Sequence, residues 1–140
     1  MGVAIALHNL AIIAQDQGAF EEAHRLYSAS FETAKRLNDP YSMAKTLHQL
    51  GILAQEQGNL GDARRLYTES LKLDKMLNNQ DGIALTLGQM GRLAEDEGDM
   101  QEAVRLFREA LDIFEQLGSP YLNLAREDFT RVEDHTNISD

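Results

Sequence analysis

Apolar residues recur every three to four positions at the start of the chain, at Ala4, Leu7, Ala11 and Ala14 with Leu10 beside them. That spacing predicts an amphipathic helix over about residues 3–17. Gly18 ends it, because glycine accepts the left-handed conformation that closes a helix. A second helix is predicted over about residues 20–37, with Phe20, Ala23, Leu26, Tyr27, Ser30, Phe31 and Leu37 on its buried side. The same pattern then returns twice. Its buried side reads Leu60, Ala63, Leu66, Tyr67, Ser70, Leu71 and Leu77, and then Met100, Ala103, Leu106, Phe107, Ala110, Leu111 and Leu117. Volumes change little between matched positions, as a shared packing geometry requires.

The stretches AQDQGAFEEAHRLY, AQEQGNLGDARRLY and AEDEGDMQEAVRLF place their central glycines at Gly18, Gly58 and Gly98, 40 residues apart. Residues 1–40 laid over 41–80 give 17 identities, and 41–80 over 81–120 give 14. Self-similarity at a fixed period predicts a stack of repeats, each a helix pair that buries its apolar face against the next. The units are residues 1–40, 41–80 and 81–119. Asn59 and Asp99 are expected to cap the second helices of repeats two and three, with Asp62 and Glu102 completing capping boxes. Ala19 offers no such acceptor, and Asn79 or Asp81 is expected to cap the first helix of repeat three. Asp39-Pro40 and Ser119-Pro120 place a capping residue before a proline suited to the first helical position.

Pro120 is therefore expected to open a seventh helix over residues 120–133. Leu122, Ala125, Phe129 and Val132 form its apolar stripe, and Arg126, Glu127, Asp128, Arg131 and Glu133 face elsewhere. Such a segment acts as a cap, hiding the last apolar face of the stack. Residues 134–140 are polar and are expected to form a disordered tail. The first helix differs, since Val3, Ile5, Ile12 and Ile13 make it apolar nearly all round. A helix of that kind expects neighbours on more than one side. Ile5, Ile12 and Ile13 thus form a candidate self-association edge, either for preceding repeats or for a homodimer.

Composition narrows the function. The formal net charge of −10, with no basic block, argues against nucleic acid, which needs clustered Lys and Arg. The chain has no cysteine, which excludes disulfides, thiolate metal sites and a cysteine nucleophile. No stretch approaches the length of a membrane span, and the apolar start lacks the basic region of a signal peptide, so a cytoplasmic protein is expected.

The small residues Gly51 and Gly91 (Ala11 in repeat one), the Gly58 turn, Ala63 and Tyr67 fall at the intervals of the tetratricopeptide repeat (TPR), and the chain resembles that family over about residues 3–117. It departs where the family places aromatics on the first helix, with Leu7, Leu47 and Leu87 and with Ala14, Ala54 and Ala94. The 40-residue period also exceeds the usual 34. Longer helices of this pattern resemble the repeats of kinesin light chains, polarity adaptors and C-terminal TPR arrays of bacterial signalling ATPases. The closing QLGSPYLNLAREDFTRVE is most similar to the bacterial group. The resemblance implies an all-α fold, a right-handed TPR superhelix (α-solenoid) of three helix-turn-helix repeats plus a C-terminal capping helix. It also implies a concave groove lined by the first helices, at Ile5, His8, Ile12, Gln15, Lys45, His48, Ile52, Gln55, Leu85, Arg92 and Glu95, with an acidic rim at Asp16, Glu56 and Asp96. The Lys, Asn and Arg clamp of chaperone-tail binders is missing, its places being held by His8, Ile12, Gln49, Leu85 and Gln89.

Candidate chemistry is sparse. His8 and His48 occupy matched positions one repeat apart, and ligands on a ladder do not converge on a metal. The carboxylates Asp16, Glu56, Asp96 and Glu95 lie near helix ends, where a solvated face is expected, and no nucleotide-binding or hydrolase motif is present. Arg25, Arg65 and Arg105 each follow Glu22, Asp62 or Glu102 by three residues, a spacing suited to pairing on the helix surface. The expected function is a non-catalytic protein–protein interaction module without cofactor or metal. Its partner would be a peptide or helix with apolar anchors and some basic residues. A sensing fragment of a larger signalling ATPase and a self-assembling structural unit are the alternatives.

Overall fold

The computed structural model describes residues 2–139. They form seven helices: α1 Gly2–Asp16, α2 Phe20–Arg36, α3 Pro40–Glu56, α4 Leu60–Met76, α5 Gln80–Asp96, α6 Met100–Leu117 and α7 Leu122–Ser139. No strand occurs among the described residues. The fold is an all-α solenoid of helix-turn-helix repeats. The helices group into two compact units, Met1–Leu77 and Asn78–Asp140.

Within each repeat the turn is closed by a residue at positive φ, +78° at Gly18, +80° at Gly58 and +80° at Gly98. Two bonds seal it. At Gly58, its own N–H donates to the Gln55 carbonyl (3.0 Å) and the Asn59 N–H to the Ala54 carbonyl (2.9 Å). The turns that follow α2 and α4 use the same geometry with Asn38 and Asn78, both at φ +53°, and Gly118 takes that place after α6. Asparagine tolerates the left-handed region better than most side chains.

In the first unit, alanines let the helices approach closely. Ala11, Ala14, Ala23, Tyr27, Leu50 and Leu53 form one buried cluster, against which Ile12, Phe20, Leu26 and Leu66 pack. The Ser30 hydroxyl donates to the Ala4 carbonyl and Ser70 to that of Ala44, both at 2.8 Å, so each buried hydroxyl fastens one helix of the pair to the other. Gly51 has a distinct reason to lack a side chain, since a Cβ there would lie 2.5 Å from the Tyr67 ring.

Helix starts agree in part with the sequence. Asp39 accepts from the Ser42 N–H, Asn79 from Gly82 and Asp99 from Glu102. Asn59 makes no side-chain cap bond, so the capping box expected at α4 does not form, and α4 starts on backbone geometry alone, as α2 does after Ala19. The Glu102 carboxylate turns to Arg105.

The C-terminal helix differs most. It starts at Leu122, two residues after Pro120, because the Ser119 hydroxyl accepts from the Tyr121 N–H and its carbonyl from Leu122, both at 3.1 Å. These bonds hold Pro120 and Tyr121 in a turn. Helix α7 then continues through residues 134–139, where a tail was expected, and the Thr136 hydroxyl donates back to the Val132 carbonyl at 2.8 Å. Asp140 lies outside the described residues. Leu37, Leu77 and Leu117, expected on buried faces, are exposed, since each is the last residue before the chain turns off its helix.

Candidate interaction surface

Helices α1 and α3 lie side by side in the first unit, joined by two side-chain bonds. His8 Nδ1 and Thr46 Oγ1 share a hydrogen bond of 3.1 Å. The Gln15 amide donates to Glu56 at 2.5 Å. Gln15 is further engaged, because the Tyr27 hydroxyl donates to its Oε1 at 2.6 Å. Burial, with Asp16 and Glu56 nearby, pushes the Tyr27 phenol up to about 12, so it stays a donor at neutral pH. Tyr67 repeats that bond to Gln55 at 2.7 Å.

His8 does not line an open groove. It is buried, and its ring meets the edge of Tyr27 at 5.5 Å. Desolvation, with Lys45 nearby, holds its pKa below the ordinary imidazole value. His48 is half-buried, its ring tilted against that of Tyr67 at 6.0 Å, and desolvation lowers its pKa to about 4. Both imidazoles are neutral packing groups at physiological pH. A ladder of matched positions shows that two side chains share an environment, but not that a neighbouring helix covers them.

The remaining expected residues of this unit stay at the surface. Ile5, Ile13 and Lys45 are exposed, Ile12, Ile52 and Gln55 are half-buried, and Asp16 and Glu56 are exposed. Ile12 owes its partial burial to the core cluster of its own unit. On α1, Val3 and Leu10 are also open to solvent, at 64% and 52% exposure, so the apolar edge is wider than the three isoleucines.

In the second unit α7 engages two of the expected groove residues. Arg92 donates to the buried Asp128 at 3.2 Å. Arg131 donates to both Glu95 oxygens, at 3.2 and 2.6 Å, and to Asp128 at 2.9 Å, while lying over the Phe107 ring. Those carboxylates hold the Arg131 guanidinium firmly protonated. Asp128 was expected to face away from the stripe; the Arg92 and Arg131 cations that meet it are what make its burial tolerable. Leu85 is half-buried and Asp96 exposed.

Sequence reasoning missed this network, although a signal existed. Where repeats one and two pair Gln15 with Tyr27 and Gln55 with Tyr67, repeat three has Glu95 and Phe107. Loss of the hydroxyl and gain of a charge together call for a cation. Arg25 pairs with Glu22 and Arg105 with Glu102, as the spacing predicts, Arg105 also meets Glu109, and Arg65 lies 3.7 Å from Glu69. Among the described residues no three His, Asp or Glu are grouped to hold a metal ion. None of the described helices is long and apolar enough to cross a membrane.

Paired helices joined by left-handed turns, with small residues beneath an aromatic, define a helical-repeat protein. The chain belongs to the tetratricopeptide repeat family, whose profiles match residues 2–76 and 86–121. No curated protein sequence matches it at a significant level. Among solved structures it is similar to the apo form of RapI, with 14% identity and TM-score 0.89 over 98% of this chain and 50% of that one. It is also similar to BtubC (BKLC) from P. vanneervenii, with 16% identity and TM-score 0.85 over 96% of this chain and 56% of that one. A third likeness is to the N-terminal domain of stress-induced protein-1 (STI-1) from C. elegans, with 21% identity and TM-score 0.68 over 89% of this chain and 93% of that one. The chain thus spans about half the length of RapI and BtubC. TPR arrays are in general non-catalytic protein-interaction modules.

Proposed function

We propose that the chain is a non-catalytic module that takes a partner segment along the exposed face of α1 and α3. What supports this reading is the pairing of the two helices through His8–Thr46 and Gln15–Glu56, together with the exposure of Ile5, Lys45, Asp16 and Glu56 and the partial exposure of Ile12 and Ile52 on those same helices. A helical or extended segment with apolar anchors and a few Lys or Arg residues matches such a face. Anchors buried at the centre supply most of the affinity, and peripheral charges chiefly set the association rate and its salt dependence.

The test is capture of partners from the source cell with wild-type and variant protein. Ile52→Glu should abolish capture while leaving the circular dichroism spectrum unchanged, and Glu56→Lys should weaken it most at low salt. Arg65→Glu, on the exposed side of α4, serves as the comparison. Loss with Arg65→Glu and retention with Ile52→Glu would place the partner on the other surface and end this reading.

A second reading is favoured by the apolar edge of α1. Val3, Ile5, Leu10 and Ile13 are each more than half exposed, which suits a homodimer joined edge to edge, with the same patch used twice.

A further inference from the structure

Position 8 of the repeat holds His8 and His48 in the first two copies and Gly88 in the third. In repeats one and two the imidazole packs against the aromatic of the second helix, Tyr27 or Tyr67. In repeat three the matched aromatic is Phe107, and no ring of this chain's own stands at position 88. A Cβ built on Gly88 would meet nothing within 4 Å. The space is a cleft of about 140 Å³ between α5, α6 and α7. Leu85, Phe107, Phe114, Tyr121 and Leu124 line it, with Arg92 and Asp128 at its polar side. Tyr121 and Leu124 are nearly half exposed, so the cleft opens to solvent between them.

We propose that this cleft is a pocket for one aromatic side chain of a protein partner. The repeat itself names the occupant. The same fold places a flat ring against the matched aromatic in two copies and omits it in the third, so an incoming ring restores the packing that the array already uses. Ring edges and faces of this kind attract beyond simple area burial. The apolar lining favours a phenyl or indole ring over a charged group, whose desolvation the cleft does not offset. Arg92 and Asp128 are paired with each other, so they can orient a polar ring atom without offering a free charge. The source of the ring rests on the reading of the chain as a protein-interaction module; the pocket does not.

The experiment uses N-acetyl-phenylalaninamide as the probe and free toluene as its small-molecule counterpart, followed by NMR. The blocked amino acid should bind in about the millimolar range, the strength expected of a single fragment. It should shift the Gly88 amide and the methyl groups of Ala84, Ala110 and Ala125, which border the cleft. Gly88→His, which supplies the ring from within, should weaken binding at least tenfold, a loss of about 1.4 kcal/mol. Gly88→Ala leaves the space open and should bind as the wild type does. It also separates cavity filling from the gain in helix propensity that both variants share. If Gly88→His does not fold, Gly88→Leu takes its place as the filled variant.

Absence of shifts, shifts confined to other helices, or equal binding by the filled and open variants would each overturn the pocket. Binding of toluene without the blocked amino acid would overturn the partner side chain, leaving a cavity for small molecules only. None of these results depends on capture through α1 and α3.

Discussion

Gly51 and Gly88 both lie inside helices, yet the structure predicts opposite responses to alanine. At Gly51 the new methyl would meet the Tyr67 ring at 2.5 Å, and overpacking of this kind costs about 1–3 kcal/mol. At Gly88 the methyl meets nothing, and removing a helix glycine gains up to about 1 kcal/mol. Urea unfolding should move the two midpoints in opposite directions; a shared direction would mean that Tyr67 yields more easily than its burial suggests. At Gly58, with φ +80°, valine should destabilise by about 1–3 kcal/mol, measured the same way. The glycine turns were legible because they recur at a fixed interval. His8 was misplaced at this scale, because its burial depends on the neighbouring helix α3 and no periodicity within one helix reports it. Desolvation of the two imidazoles has a pH consequence. The fold favours neutral His8 and His48, whose pKa values are lowered, that of His48 to about 4. The unfolded chain takes up these protons near pH 6.5, so the contribution of the two histidines to stability is full above that pH, falls between about pH 6.5 and 4, and levels off below. For His48 the loss is at most about 3 kcal/mol. Replacement of His48 by Gln should flatten that part of the profile in thermal melts.

Among the elements, α7 departs furthest from its sequence reading. Its apolar stripe was legible, and Ala125 and Val132 are buried as the spacing predicts. Its charges were not. Period analysis sends Asp128 and Arg131 to solvent, whereas they meet Arg92 and Glu95 on α5, each pair separated by 36 residues and so outside the 40-residue repeat. Arg131 is half exposed, so screening limits each bond, and the network as a whole is worth about 1 kcal/mol or somewhat more. Arg131→Met, which keeps the bulk over Phe107, should leave α1–α4 intact and raise amide exchange in α7. Unchanged exchange in α7 would show that the apolar stripe alone holds it.

For the molecule as a whole, the repeat count and the helix order were readable from the interval between glycines, and the family from the spacing of Gly51, Gly58, Ala63 and Tyr67. Where partners bind was not, because a surface is defined by what two helices present together. The α1 edge carries a prediction at this scale. Light scattering at micromolar concentration should give twice the monomer mass, and Ile5→Lys with Ile13→Lys should return it to one. A monomer for the wild type, with slow exchange of α1 amides, would show that α1 is satisfied within its own chain.

The exchange of Gln and Tyr for Glu95 and Phe107 also bears on how such an array can change its length. Gene duplication can copy a repeat that carries the neutral Gln–Tyr pair without creating an unmatched charge. Repeat three is not interchangeable with it, since Glu95 pairs with Arg131 and the matched position of repeat two holds Gln55. Repeat three and α7 therefore behave as one inherited block. A chain engineered to join α7 directly after Leu77 should fold its first four helices and leave the seventh undocked. Restoring Gln55→Glu and Tyr67→Phe together with Ile52→Arg should recruit it again, and docking of α7 without those changes would show that the block can be divided.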